Sequence, residues 1–119
     1  MNRIQQLNMD LIRESSFNSF DGNQVASALC DHEDLWRGVV LDRMGSLIKL
    51  RDIANGHWNV DTLFVLPRYG KEDALMELAR DWNADEVDWI DGEEAGGLLG
   101  SYTYNYETNK KVVLRVWWD

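Results

Sequence analysis

Cysteine and proline are nearly missing from this sequence: Cys30 is its one thiol and Pro67 its one imino acid in 119 residues. A lone cysteine cannot close an internal disulfide, so the expected setting is a reducing, cytoplasmic one. No Ser/Gly tract, Pro-rich stretch or self-similar period marks a linker or a repeat. The chain therefore reads as a single α+β domain over residues 1–119. No apolar run approaches the roughly 20 residues that span a bilayer. The amino-terminal MNRIQQLNMDLIRESS also lacks a continuous apolar stretch of signal-peptide length. No membrane partner is expected.

Positive charge is scarce, with 12 Lys and Arg against 21 Asp and Glu and a formal net charge of -9. Without a basic stripe to neutralise phosphates, direct binding to nucleic acid is not expected. Catalytic signatures are lacking too. There is no G-x-S-x-G elbow and no phosphate loop, and Gly96, Gly97 and Gly100 in GGLLG lack the spacing of a dinucleotide fingerprint. Cys30, His32 and His57 do not make the paired spacing of a zinc site. Placing Gly92 at the sixth position of an EF-hand loop puts Val87 and Trp89 where oxygen donors are required. Neither a metal nor a cofactor is expected, and no catalytic residue is assigned.

What is present is one concentrated block of acid. Residues 72–94 carry ten carboxylates and a single base, Arg80, so this segment holds the entire charge imbalance; the other eleven acids face eleven bases. Asp73, Glu77 and Asp81 stand four apart on an expected helix, a repulsive spacing that costs roughly 0.2–0.5 kcal/mol per neighbouring pair. A local choice that works against stability points to function. The competing reading is a solvated face that keeps the protein soluble.

On the functional reading the protein is a non-enzymatic interaction module, an inhibitor, neutraliser or adaptor, that docks a basic protein surface. Its candidate partner-binding residues are Glu77, Asp81, Asp85, Glu86, Asp88, Trp89, Asp91, Glu93 and Glu94, with Trp89 as a desolvated anchor. Trp82 is assigned to the core. The docking reading requires that these side chains share a surface and are not tied up by internal cations.

Three alternatives stand beside it. One is a small enzyme whose site joins these carboxylates to His57 or a tyrosine, which would show a concave pocket of converging polar groups. Another is an inhibitor that mimics nucleic acid. Duplex DNA carries one charge per ~1.7 Å, and a helix of about 12 residues spans only ~18 Å, so mimicry would cover a short stretch. The last is a homodimer or larger structural assembly, formed if the terminal strand through Val116, Trp117 and Trp118 is an uncovered sheet edge.

For the fold, we expect N-terminal helices packed on a small mixed sheet built mainly from residues 60–119 and ending in a β-hairpin. Ile4, Leu7, Leu11 and Ile12 predict an apolar stripe on a helix over residues 3–15. A loop over 15–22 and a short helix through Val25, Ala28 and Leu29 follow. Asp34 is placed to cap a further helix through Leu35, Trp36, Val39, Val40 and Met44; over 46–54 the spacing of Leu47, Leu50 and Ile53 favours a helix ended by Gly56, against a strand begun by the alternation of Ile48 with Leu50. Residues 60–66 and 86–90 read as strands around a helix at 71–82, a right-handed crossover if the strands are parallel neighbours. Tyr102, Tyr104 and Tyr106 alternate, as do Val112, Leu114, Val116 and Trp118, which predicts the final hairpin.

Overall fold

A computed structural model of the chain describes residues 1–42, 49–58, 60–100 and 110–119. The first helix, α1 (Arg3–Arg13), is capped by Asn2, whose Oδ1 accepts the Gln5 amide at 2.8 Å. A two-residue ribbon, β1 (Ser16–Phe17) with β2 (Phe20–Asp21), occupies the expected loop. It leads into α2 (Gly22–Asp31), which Asp21 caps through the Gln24 amide. After a 3-10 turn come β3 (Trp36–Leu41), the short α3 (Leu50–Ala54) and β4 (Thr62–Pro67). Then follow α4 (Glu72–Ala79) with a 3-10 extension through Trp82, β5 (Glu86–Ile90), α5 (Gly92–Leu99) and β6 (Val113–Trp117).

The main sheet has the order β3-β4-β6-β5, and each neighbouring pair is antiparallel. The expected α+β architecture is thus present, with antiparallel neighbours in place of a mixed sheet. Both β4 and β5 run against β6, so they are parallel to each other but not adjacent. The connection through α4 steps over one strand. The terminal strand is accordingly no edge: β6 bonds to β4 on one side and β5 on the other. This removes the basis for assembly through an uncovered terminal strand. The tyrosine strand expected at 102–106 lies outside the described residues, as do Met44, the start of the helix expected from 46 and all but Lys110 of the turn expected over Glu107 to Lys110.

Residues 36–41 are a strand, not a helix. Trp36, Val39 and Val40 satisfy either periodicity, and pairing with the β-branched β4 decides in favour of the sheet. Alternation then divides the sheet into two faces. One carries Val39, Leu41, Leu63, Val65, Leu114 and Val116, and packs against Met9 and Ile12 of α1, Val25 and Leu29 of α2, and Leu75, Ala79 and Trp82 of the α4 region. On the other face Ile90 and Val113 pack with Val112 and with Ala95 of α5. Among the described residues no helix is long and apolar enough to cross a membrane.

Helix α1 departs from its expected orientation. Its buried residues are Met9 and Ile12, whereas Ile4, Leu7 and Leu11 are 70%, 43% and 40% exposed. The cause is Gln5. Its side-chain amide donates to the Val39 carbonyl at 2.8 Å and accepts the Val39 amide at 3.0 Å, so it pairs with the outer edge of β3 as a neighbouring strand would. This pair of bonds sets the roll of the helix.

Trp118 joins the layers. Its ring stacks on Phe20 with centroids 3.9 Å apart and planes 7° from parallel, and its Nε1 donates to the Trp82 carbonyl at 3.0 Å. Its backbone amide bonds to the Asp61 carbonyl at 3.0 Å. Trp118→Ala is expected to lose about 3–5 kcal/mol of stability in urea denaturation. A loss under about 1 kcal/mol would contradict this linking role. Gly22 is needed for a different reason: a Cβ there would lie 1.9 Å from the Ile12 carbonyl oxygen and 2.5 Å from that of Ser15. Gly22→Ala should cost at least about 2 kcal/mol. Gly97→Ala in α5, with nothing within 4 Å of the added Cβ, should be neutral or stabilising by up to about 1 kcal/mol.

Candidate functional site

The acidic block wraps around one edge of the sheet. β5 is the edge strand there, α4 precedes it on the helix-covered face, and α5 follows it on the opposite face. Alternation along β5 turns Val87 and Trp89 toward the main core and Glu86 and Asp88 to the other side. Glu77 and Asp81 therefore belong to the helix layer, whereas Glu86, Asp88 and Glu94 lie across the sheet from them. Trp89 is half-buried against the core, on the face away from Glu86 and Glu94. Trp82 is buried, as expected. The nine candidate residues are divided between two faces of the sheet, whereas mimicry of a duplex needs charges spread along one extended face.

Several of them are held by cations of the same chain. Arg115 of β6 sits opposite Asp88 in register and grips it with two bonds, Nε to Oδ1 at 3.0 Å and Nη2 to Oδ2 at 2.7 Å, with Glu86 Oε2 at 3.9 Å. Arg80 pairs with Glu77, and Lys110 Nζ lies 3.8 Å from Asp91. Asp85 accepts the Asp119 backbone amide at 2.6 Å. Asp81, Glu93 and Glu94 have no ion pair among the described residues. Counting Lys111 as well, which lies 2.7 Å from Asp73, four cations among the described residues pair within the block of ten carboxylates, so six of its negative charges are not offset by them.

Two of these contacts shift protonation. Lys111 hydrogen-bonds to Asp73 and attracts its charge, which holds that carboxyl below the usual carboxylate range. The resulting stabilisation is present above that range and disappears as pH falls through the lowered value. It is small, because both groups are in solvent. The hydrogen bond to Asp88 raises Arg115, opposed by burial and aided by the charges of Asp88, Glu94 and Glu86. Its contribution is lost only when pH rises through the raised value, so this guanidinium stays charged wherever the protein works.

Beside Arg115 the open face of the sheet is hollow. Asp42, Thr62, Phe64, Glu86, Glu94, Leu98, Arg115 and Trp117 line a depression of about 510 Å³. It continues, through the shared Phe64 and Leu98, into an apolar part of about 290 Å³ lined also by Gly38, Val40, Leu66, Leu99 and Val113. Val40 and Leu98 are 37% and 43% exposed. The result is a groove with an acidic, aromatic end and an apolar end. Trp117 is braced by Asp61, whose Oδ2 accepts its Nε1 at 3.3 Å while Oδ1 accepts the Thr62 hydroxyl at 2.7 Å.

Only Glu86 and Glu94 of the sequence-derived candidates line this groove. Asp42, Thr62, Phe64, Arg115 and Trp117 come from three other segments, and strand register alone brings them together; no local motif marks them. His57 is exposed and does not line this groove. Tyr102, Tyr104 and Tyr106 lie outside the described residues. Among the described residues no group of three or more His, Cys, Asp or Glu is placed to hold a metal ion. No protein-family model, curated protein or solved structure matches the chain.

Arg115→Met leaves Asp88, Glu86 and Glu94 without their common counter-charge. It should lose about 1–3 kcal/mol in urea denaturation, more at low salt than at high. Asp88→Asn should cost less, since Glu86 and Glu94 still face the guanidinium. Equal stability of Arg115→Met and the parent at low salt would show that the grip contributes nothing.

Proposed function

We propose a narrower docking reading, because the acidic block as a whole does not meet the requirement of one shared, unpaired surface: the protein is a non-enzymatic interaction module, an inhibitor, neutraliser or adaptor, that takes a basic protein surface at the groove where Glu86 and Glu94 come together. The observation that carries this reading is the groove: Glu86 and Glu94 wall an end floored by Trp117 and Phe64, and Arg115 is turned onto Asp88. A lysine or arginine of a partner meets carboxylates and ring faces there, a combination that suits a cation. An apolar neighbour of that residue fits beside Val40 and Leu98. Asp81, Asp85, Asp91 and Glu93, outside the groove, add long-range attraction that speeds encounter and weakens as salt rises. Glu77, Asp88 and Trp89 have mainly intramolecular partners and serve as support.

The concavity of the groove favours a second reading, a small-molecule site run by its carboxylates. Weighing against it, the lining has no histidine or cysteine among the described residues, the Thr62 hydroxyl is committed to Asp61, and Arg115 is committed to Asp88. A nucleophile with an adjacent base is not assembled there.

The test is capture of basic proteins from lysate by the parent chain and by Glu86→Lys/Glu94→Lys. The parent should retain a specific basic partner at about 50 mM salt and release it near 0.5 M, where the Debye length falls to a few Å. The double variant should retain at least tenfold less at low salt while unfolding normally. Indistinguishable capture profiles would end the docking reading.

A further inference from the structure

Helix α1 carries an apolar stripe that the fold leaves uncovered. At about 100° per residue, Ile4, Leu7 and Leu11 fall within a sector about 60° wide, and all three are exposed because Gln5, Met9 and Ile12 take the buried side. Three large aliphatic side chains spaced three and four residues apart on one helix have the spacing of a helix-pair seam over a single heptad.

The charges beside the seam are arranged to match themselves. Arg3, Asp10 and Glu14 lie on one flank, within about 40° of one another, and all are exposed without an ion pair among the described residues. The seam centres on Leu7. In an antiparallel pair related by a two-fold axis near Leu7, Arg3 of one helix meets the partner's flank between Asp10 and Glu14, and the same contact is made twice. Parallel pairing would instead turn this flank toward the partner's other flank, which carries the uncharged Asn8, and would leave the charges unmatched. From the exposed seam and this flank we infer that a second copy of this chain covers α1, in an antiparallel helix pair centred on Leu7.

The rest of the molecule permits the arrangement. α1 lies along β3, the edge of the sheet opposite β5, so the acidic rims of two copies stay apart. An 11-residue helix is about 16 Å long, and one such pair buries less than the roughly 1,200 Å² of a stable complex. The dimer is therefore weak and concentration-dependent, with a dissociation constant between about 10 µM and 1 mM. It is independent of partner docking at the groove.

Sedimentation equilibrium of the full chain from about 10 µM to 1 mM tests this range. The parent should pass from monomer to dimer. Leu7→Glu should raise the dissociation constant at least tenfold, with circular dichroism and melting unchanged. Arg3→Glu should also weaken the dimer, and adding Asp10→Arg and Glu14→Arg to it should restore the parental constant by exchanging the signs. A parent that stays monomeric through 1 mM overturns the inference, as does a dimer indifferent to Leu7→Glu or a charge exchange that fails to rescue. Flotation of a monomeric parent with phospholipid vesicles would assign the seam to a lipid surface and overturn it equally.

Discussion

The last strand of the chain occupies the middle of the sheet, and most of the structure follows from that placement. β6 bonds to β4 and β5 at once, so the sheet stays incomplete until residues 113–117 are in position. Trp118, immediately after it, closes the main core by stacking on Phe20 and bonding to Trp82. The same strand carries Arg115 into register with Asp88 and Trp117 into register with Glu86. Core closure, neutralisation of the acidic strand and the floor of the groove thus depend on a single strand insertion. Its contacts are distant in sequence, a topology that makes folding slow relative to helical domains.

Charge and topology are coupled at β5. An edge strand exposes backbone groups that invite pairing with other chains, and dense carboxylates on both its sides oppose indiscriminate association. At the other edge Gln5 answers the same hazard with a side-chain amide bonded to both backbone groups of Val39. One edge is thereby capped at Val39 by a side-chain amide and the other is guarded by charge. The ion pairs around β5 differ in consequence. Asp73 with Lys111 and Glu77 with Arg80 are largely solvent-exposed and contribute little, whereas the two-bond grip of Arg115 on Asp88 is partly shielded and orients the groove.

Much of the local structure was legible in the sequence. The helices at 3–13 and 72–79 and the strands at 62–67 and 86–90 lie where periodicity and β-branched composition put them. Trp82 was legible as core because it completes the apolar side of α4. β3 was misread, since Leu35, Trp36, Val39 and Val40 satisfy helical and extended patterns alike and only the neighbouring β4 separates the two. The roll of α1 was not legible either. Composition favours burying Ile4, Leu7 and Leu11, and two hydrogen bonds from Gln5 to a strand 34 residues away override it.

By itself the sequence determined that this is an acidic, disulfide-free α+β chain, that its negative charge is gathered within 72–94, and which segments are helix or strand wherever one periodicity prevails. Those properties rest on composition and on neighbours a few residues apart. Tertiary structure alone decided that β6 lies between β4 and β5, that the acidic block is split between two faces, that Arg115 is turned onto Asp88 beside a groove, and that a seam of α1 is left bare. The reason is physical. Register and helix roll are set by hydrogen bonds and packing between residues far apart in the chain, and a linear pattern carries no term for them.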